Sequence, residues 1–282
     1  IRFDGRVAIV TGAGGGLGRL HALALAARGA AVVVNDLGGT VDGQGGAPTA
    51  ANAVVDEIRA AGGKAIASAA SVTDFAAVQA MVQAALGEWG RVDILVNNAG
   101  ILRDKSFAKM ELDDFRRVLD VHLMGAVHCT KAVWETMREQ KYGRIVMTTS
   151  STGLFGNFGQ SNYGAAKMAL VGLMQTLSLE GAKYDIRVNC LAPTAATRMT
   201  AGLMPESVLK QLDPASVTPG LLALVAEDAP TRAILCAGAG GFERAYVTLT
   251  EGIHVGHPDD AAEQVAARWE AISDRDGETA PE

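Results

Sequence analysis

The chain has 282 residues, of which 49% are hydrophobic and 20% are charged, and its formal net charge is −6. These values exclude a largely disordered chain and allow one large α/β domain or two small ones. The sequence has no basic run and no stretch of roughly 18 apolar residues, so neither a nucleic-acid surface nor a membrane span is predicted. The three cysteines lack metal-ligand spacing and indicate reduced thiols in a cytoplasmic protein. The N-terminal residues enter a strand almost at once, so no signal peptide is expected.

Short β-branched runs alternate along the chain with longer Ala- and Leu-rich segments of helical periodicity. The predicted strands are Val7–Thr11, Ala31–Asp36, Lys64–Ala67, Asp93–Asn97, Arg144–Thr149 and Ile186–Ala192. The predicted helices are Leu17–Arg28, Thr49–Ala61, Asp74–Leu86, Leu112–Gln140 and Asn162–Lys183. Apolar strands that alternate with helices indicate a parallel sheet covered on both faces. The sequence therefore predicts a single doubly wound, Rossmann-type α/β domain over residues 1–273.

Two segments depart from this alternation. The Gly-rich stretch Leu37–Pro48 follows the second strand and is typical both of a functional loop and of a flexible surface insertion. The stretch Asp259–Ser273 is predicted to form an amphipathic helix with acidic residues in its first turn. Residues 274–282 are predicted to form a disordered tail.

The first predicted strand leads into a glycine-rich turn and then a helix, in the order Thr11-Gly12-Ala13-Gly14-Gly15-Gly16-Leu17-Gly18. Glycines let the backbone approach a pyrophosphate closely, and the helix N-terminus presents N–H groups and a positive dipole end to the anion. Asp36 ends the second strand, where a carboxylate accepts hydrogen bonds from the adenosine ribose and repels a 2′-phosphate. The turn contains no Arg or Lys to neutralise such a phosphate, so the predicted cofactor is NAD.

The glycine spacing and two further motifs resemble the short-chain dehydrogenase/reductase family. These motifs are Asn97-Asn98-Ala99-Gly100 and Tyr163-Gly164-Ala165-Ala166-Lys167, and the resemblance runs from about Arg6 to Ala192. The segments Val34–Gly39, Asn97–Phe107 and Lys141–Lys167 more closely resemble the (3R)-hydroxyacyl-CoA dehydrogenase domain of peroxisomal multifunctional enzyme type 2. The resemblance implies an NAD-dependent oxidoreductase of lipid metabolism, in fatty acid or steroid degradation, that interconverts (3R)-hydroxyacyl-CoA and 3-ketoacyl-CoA. It also implies a homodimer or homotetramer formed through the two longest predicted helices.

Ser150, Tyr163 and Lys167 match the catalytic residues of this family. Tyr163 and Lys167 are four positions apart on a predicted helix and therefore share one face. A nearby ammonium, together with the positive nicotinamide ring, is expected to lower the pKa of Tyr163 so that it exchanges a proton with the substrate hydroxyl. The family resemblance gives Lys167 a hydrogen bond to the nicotinamide ribose and gives Ser150 the role of orienting the substrate oxygen. Ser151 is the second choice for that serine.

The turn and the family resemblance together imply a set of cofactor-binding residues. They are Gly12, Gly16, Leu17, Gly18, Asp36, Ser71, Val72, Asn98, Tyr163, Lys167 and Thr197.

The sequence departs from the family pattern at three places. His122 stands where the family commonly has an Asn whose main chain holds a water, and we expect it to be a helix or interface residue rather than a proton donor. Ala70-Ser71-Val72 lacks the usual Asp near the adenine, so Ser71 and backbone groups are expected to contact that base. The usual Pro-Gly after the sixth strand is changed to Pro193-Thr194-Ala195-Ala196-Thr197, which makes Thr197 the candidate for the nicotinamide carboxamide.

Two other functions remain open from the sequence. A hydroxysteroid or steroid side-chain CoA dehydrogenase would use the same chemistry, and apolar residues in Thr194–Ala215 (Leu203, Met204, Val208, Leu209) suit an acyl or a steroid body. A non-catalytic NAD-binding regulator could use the same fold, because a fold alone does not prove function. A metal enzyme is not predicted, since His254 and His257 lie in a Gly-rich loop with no third ligand.

Overall fold

The computed structural model describes residues 1–43, 49–196 and 211–281. The strands are β1 (Val7–Thr11), β2 (Ala31–Asn35), β3 (Lys64–Ser68), β4 (Ile94–Asn97), β5 (Gly143–Thr148), β6 (Ile186–Thr194), β7 (Ile234–Gly238) and β8 (Gly241–Ala245). The α-helices are α1 (Gly16–Ala27), α2 (Thr49–Ala60), α3 (Phe75–Trp89), α4 (Leu112–Leu119), α5 (Gly125–Gln140), α6 (Ser151–Phe155), α7 (Ser161–Gly181), α8 (Thr218–Leu224), α9 (Ala261–Ala267) and α10 (Trp269–Ile272).

The strands form one sheet in the order β3-β2-β1-β4-β5-β6-β7-β8, and the pairs from β3 to β7 are parallel. The strand order reverses at β1, which lies between β2 and β4. In such sheets ligands bind at the carboxyl ends of the strands beside this switch point. The core strands are apolar and buried on both faces, as in Ala8, Ile9 and Val10 of β1, which have no exposed surface. The predicted doubly wound, Rossmann-type fold is confirmed.

Several elements differ from the sequence prediction, which also did not include the short helices α6 and α8. The hairpin of β7 and β8 was not predicted. β7, Ile-Leu-Cys-Ala-Gly, is a short apolar run that periodicity alone does not distinguish from a buried helical segment, and β8 is mostly exposed and shows no apolar pattern. The two-residue link of the hairpin, Ala239-Gly240, has φ values of 49° and 79°, which suit the twist of a tight hairpin. The predicted helix Leu112–Gln140 is interrupted by a π-helical turn at Asp120–Met124. The predicted helix Asp259–Ser273 is divided into α9 and α10, and neither contains a buried residue.

The chain contains two compact units, Ile1–Arg244 and a second unit that begins at Ala245. Within the second unit, Leu249 and Thr279 form an antiparallel bridge, and Arg275 forms an ion pair of 2.8 Å with Glu278. A single domain over residues 1–273 and a disordered tail after it stay predictions. No helix in the described part of the chain is long and apolar enough to cross a membrane.

Candidate active site

A cleft of about 970 Å³ lies at the carboxyl ends of the central strands. Its described walls come from the segments that follow β1, β2, β3, β4, β5 and β6, between Gly12 and Ala195. This volume is typical of a site for a small molecule or a cofactor. The cleft lies where the sheet topology predicts a ligand site.

The glycine turn forms one wall of this cleft. Gly12 has a φ of 62°, and a Cβ there would come within 2.8 Å of the Ala99 Cα, so the turn can pass β4 only with a glycine. A Cβ on Gly18 would lie 2.2 Å from the Gly12 carbonyl oxygen. Gly18 therefore lies beneath the turn and lets α1 pack against it. Of the predicted cofactor contacts in this turn, Gly12, Gly16 and Leu17 line the cleft, whereas Gly18 does not.

Helix α1 presents its N-terminus to the same wall. The residue before the helix, Gly15, provides no side-chain cap, and Gly15, Gly16 and Leu17 all line the cleft. The first N–H groups of a helix have no partner within the helix, and they attract anions. The turn and the helix therefore fit the pyrophosphate of a dinucleotide.

Asp36 is fixed by two backbone N–H groups. Its Oδ2 accepts a hydrogen bond of 2.8 Å from the Gly14 N–H, and its Oδ1 accepts one of 2.7 Å from the Gly38 N–H. A Cβ on Gly14 would lie 2.8 Å from the Asp36 Cγ, so this contact requires glycine. Each carboxylate oxygen has a second lone pair. The carboxylate, which lines the cleft, can still accept hydrogen bonds from a ribose.

The other predicted cofactor contacts lie on the same side of the cleft. Ser71 and Val72 line it; the Ser71 hydroxyl is 2.8 Å from that of Thr73, and the Val72 carbonyl oxygen is 2.8 Å from the His128 Nδ1. These contacts leave the Ser71 hydroxyl able to take part in a further hydrogen bond. Thr197 lies outside the described residues, as do Leu203, Met204, Val208 and Leu209.

Asn98 lines the cleft, but its side chain holds the glycine turn in place. Its amide donates hydrogen bonds of 2.9 Å to the Thr11 carbonyl and 3.1 Å to the Gly12 carbonyl. The Thr11 hydroxyl in turn accepts from the backbone N–H groups of Asn98 and Ala99. The ends of β1 and β4 are thus joined by hydrogen bonds, and Asn98 is a positioning residue for the turn.

The structure brings Ser150, Tyr163 and Lys167 together at the cleft. Ser150 caps α6 by accepting a hydrogen bond of 3.2 Å from the Thr152 N–H, and it also hydrogen-bonds the Tyr163 side chain. The Lys167 Nζ lies 5.4 Å from the centre of the Tyr163 ring and donates to the Thr148 carbonyl oxygen. The second candidate, Ser151, also lines the cleft but is exposed as the first residue of α6.

Burial controls the ionisation of the Tyr–Lys pair. It raises the pKa of Tyr163, the Asp104 carboxylate raises it further, and only the Ser150 hydrogen bond opposes this. Burial also lowers the pKa of Lys167 from 10.5 to about 7. In the chain alone, burial thus moves the pKa of Tyr163 in the direction opposite to the predicted lowering, which combined the lysine ammonium with the charge of a bound nicotinamide. The predicted contribution of the nicotinamide charge stays a prediction.

Sequence reasoning missed a polar network beside Tyr163. The Gln160 Nε2 donates a hydrogen bond of 2.7 Å to Asp104, while its Oε1 accepts from the Thr152 hydroxyl at 2.9 Å and the Asn157 amide at 3.0 Å. Gln160, which is 6% exposed, precedes α7 and stands three residues before Tyr163. This short distance in sequence from Tyr163 is the one feature that could have indicated Gln160 as a residue of the site. The network joins three segments of the cleft wall.

The described part of the Gly-rich loop also belongs to the cleft wall. The Leu102 N–H donates to the Val41 carbonyl at 3.0 Å, Arg103 donates to the Asp42 carbonyl at 2.9 Å, and Arg117 donates to the Gly43 carbonyl at 2.7 Å. These contacts favour a functional loop over a flexible insertion.

Within residues 1–43, 49–196 and 211–281, no group of three or more His, Cys, Asp or Glu side chains is arranged to hold a metal ion.

Comparisons with known proteins agree with this geometry. The model of the short chain dehydrogenase family matches residues 6–207. A putative short-chain type dehydrogenase/reductase of Mycobacterium tuberculosis is 50% identical over 273 residues, which cover 96% of this chain and 95% of that protein. Peroxisomal multifunctional enzyme type 2 of Drosophila melanogaster is 54% identical over 219 residues, which cover 78% of this chain but only 36% of that enzyme.

Two solved structures resemble the chain along most of its length. Full-length peroxisomal multifunctional enzyme type 2 from Drosophila melanogaster has a TM-score of 0.83 at 37% identity, with 100% of this chain and 48% of that chain covered. A 7α-hydroxysteroid dehydrogenase, in complex with NADH and 7-oxo glycochenodeoxycholic acid, has a TM-score of 0.76 at 32% identity. That alignment covers 85% of this chain and 95% of the steroid enzyme.

Proposed function

This chain belongs to the short-chain dehydrogenase family and is an enzyme that uses a nicotinamide cofactor, and on that basis we propose that it interconverts a (3R)-hydroxyacyl-CoA and the 3-ketoacyl-CoA with NAD. The observation that carries the reaction type is the convergence of Ser150, Tyr163 and Lys167 beside the glycine turn. The similarity to multifunctional enzyme type 2 supports the acyl-CoA substrate. Because the chain spans about a third of that enzyme's length, activities of its other parts are not transferred.

Asp36 supports NAD as the cofactor. Its carboxylate is held in the cleft by Gly14 and Gly38, so it cannot readily turn away from the ribose. A 2′-phosphate at that ribose would meet a fixed negative charge. We therefore expect NADP to bind more weakly than NAD.

Each catalytic side chain has a separate task in the proposed reaction. The Ser150 hydroxyl holds the substrate oxygen where charge develops on it. Tyr163 receives the proton of the alcohol during oxidation and returns it during ketone reduction. Lys167, when protonated, stabilises the phenolate electrostatically. The bound nicotinamide supplies the hydride acceptor or donor.

The experiment that tests the substrate class is NADH formation with a panel of alcohols. The panel contains (3R)- and (3S)-hydroxyacyl-CoAs of several chain lengths, a steroid alcohol and a steroid side-chain CoA, each with NAD and with NADP. We expect turnover of the (3R)-hydroxyacyl-CoAs with NAD. Turnover of steroid compounds alone, or no turnover of any compound by protein that binds NAD, would remove support for the acyl-CoA assignment.

A hydroxysteroid or steroid side-chain CoA dehydrogenase is the second candidate. The similarity to a hydroxysteroid dehydrogenase along 85% of this chain favours it, and the cleft of about 970 Å³ is large enough for a steroid body. The same panel separates the two candidates.

Tyr163→Phe separates an enzyme from a non-catalytic NAD-binding regulator. Removal of one hydroxyl should lower kcat by about 10²- to 10⁴-fold, because the proton acceptor is lost, while NAD binding should remain. Steady-state kinetics on a substrate from the panel measure the first effect and calorimetric titration the second. Tyr184→Phe, which removes a hydroxyl that contacts Arg138 outside the described cleft, is the matched control. Full turnover by Tyr163→Phe would contradict the assigned role.

Location and assembly are also part of the proposal. The predicted cytoplasmic location is supported by three cysteines that are all free, two of them buried. The predicted homodimer or homotetramer is testable by light scattering on the purified protein. A monomer at all concentrations would contradict it.

A further inference from the structure

His122 joins a helix to the loop that follows β4. It lies in the π-helical turn Asp120–Met124 between α4 and α5, and it is 3% exposed. Its Nε2 is 3.1 Å from the Ile101 backbone nitrogen and 2.8 Å from the Ile101 carbonyl oxygen. Single π-helical turns within helices occur frequently at functional sites. The backbone of Ile101, which is distant from His122 in the sequence, thus holds the imidazole in place.

The His122 ring packs against Tyr163. The ring centres are 5.2 Å apart and the ring planes are perpendicular, at 90°. This edge-to-face arrangement is favourable between aromatic rings. A Cβ on Gly100 would lie 2.3 Å from the His122 Cε1, so the imidazole fits only because residue 100 is a glycine. The Ile101 backbone and the close approach of Gly100 therefore hold the imidazole ring against Tyr163.

The ring is neutral in this position. Burial and the charge of Lys167 hold the pKa of His122 well below its usual value of 6.5. Among the described residues, the His122 Nδ1 and the Asn97 Oδ1 are buried polar atoms without a hydrogen-bond partner. Both residues line a cavity of about 10 Å³, together with Lys167. This is about the volume that one water needs, and such a water would satisfy both atoms.

We propose that His122 is a positioning residue: its neutral ring packs edge-to-face against Tyr163, excludes water from that side of the phenol and keeps the hydroxyl directed at Ser150. The inference rests on the acid–base role proposed above for Tyr163. It assigns no proton transfer to His122. The ionic groups that face Tyr163 are Lys167 from α7 and Asp104 from the loop after β4, and the variants below alter neither.

The test compares His122→Ala with His122→Phe. Tyrosine labelled with ¹³C at Cζ reports the pKa of each of the four tyrosines, and the Tyr163 signal is identified by its loss in Tyr163→Phe. In His122→Ala, water reaches the phenol and the pKa of Tyr163 should fall toward its ordinary value, because burial is what raises it. His122→Phe keeps the ring contact, so the pKa of Tyr163 should match the parent. If the alanine variant does not fold, His122→Asn replaces it as the non-aromatic comparison.

Kinetics on the whole enzyme give a second readout. We expect His122→Ala to lower kcat by up to about tenfold without a change in KM for NAD, and His122→Phe to stay within about threefold of the parent. The inference is overturned if the two variants have equal effects, if neither moves the pKa of Tyr163, or if both lose one ionisation from the pH profile, which would make His122 a proton donor. The NMR titration needs no substrate, so it decides the role of His122 even if hydroxyacyl-CoA turnover, and with it the proposed function, fails.

Discussion

Lys167 carries the principal buried charge beside the proposed reacting atoms. It is 3% exposed, and burial lowers its pKa from 10.5 to about 7. Between these two pH values the unfolded chain binds a proton that the folded chain does not. The contribution of Lys167 to the free energy of unfolding therefore rises with pH over this window, and below it the folded protein carries the full cost of burying the ammonium.

Lys167→Met should remove this contribution of residue 167 to the pH dependence of stability. Without bound cofactor, the variant should have a higher free energy of unfolding than the parent near pH 7, and the difference should shrink as the pH approaches 10.5. Urea unfolding at several pH values across the window measures the difference. Lys131→Met, at an exposed site on α5, is the control and measures how the loss of a surface lysine changes the free energy of unfolding. A difference that stays constant across the window would contradict burial of the charge.

At the scale of elements, the site depends on how closely α1 packs against the turn after β1. Gly18 brings the first turn of α1 against the Gly12 carbonyl, and Gly12 brings the turn against Ala99 after β4. These are contacts of backbone atoms, which cannot rotate away from an added methyl group as a side chain can. The glycines therefore determine the position of the α1 N-terminus.

Gly18→Ala should damage both folding and cofactor binding. The added Cβ would lie 2.2 Å from the Gly12 carbonyl oxygen, so the turn must shift, at a cost of about 1–3 kcal/mol. NAD affinity should fall with it, and chemical denaturation and calorimetric titration measure the two effects. The control is Gly87→Ala on the exposed face of α3, where a Cβ meets nothing within 4 Å. That change should stabilise the protein by about 0.5–1 kcal/mol through helix propensity. Similar losses in both variants would contradict a specific role for Gly18.

At the scale of the whole molecule, the described cleft residues all belong to the unit Ile1–Arg244. They come from the ends of six strands and from the segments between them. A dinucleotide in this cleft would contact groups that only the folded sheet brings together. Cofactor binding should therefore stabilise the folded state as a whole.

NAD should raise the melting temperature in proportion to the logarithm of its concentration above Kd. At a hundredfold excess of NAD over Kd, the free energy of unfolding rises by about 2.7 kcal/mol, which corresponds to an increase of several degrees in the melting temperature. NADP at the same concentration should give a smaller rise, because of the fixed Asp36 carboxylate. Differential scanning fluorimetry measures both shifts. Asp36→Ala should reduce the difference between the two cofactors, and equal shifts in the parent protein would argue against selection by this residue.

Most of the fold and the principal residues of the candidate site could be predicted from the sequence. Six of the eight strands in the described residues were predicted from apolar runs. Of the missed pair, β7 is a short apolar run that periodicity alone does not distinguish from a buried helical segment, and β8 is mostly exposed. The π-helical turn at Asp120–Met124 was missed because its residues continue a helical pattern, and only packing against Ile101 and Tyr163 distinguishes them. The role of Thr197 stays a prediction.

The sequence by itself determined the parallel sheet and the glycine turn, and its resemblance to the short-chain dehydrogenase family indicated Ser150, Tyr163 and Lys167 as candidate catalytic residues. It could do so because strand periodicity, glycine turns and a four-residue helical spacing are local properties of the chain. Only the tertiary structure decided that the Asp36 carboxylate is held by Gly14 and Gly38, that Gln160 bonds Asp104, and that His122 packs against Tyr163. It also decided that burial, rather than Lys167, sets the direction of the Tyr163 pKa shift. Each of these depends on distances between residues far apart in the chain and on the exclusion of water, which no local pattern encodes.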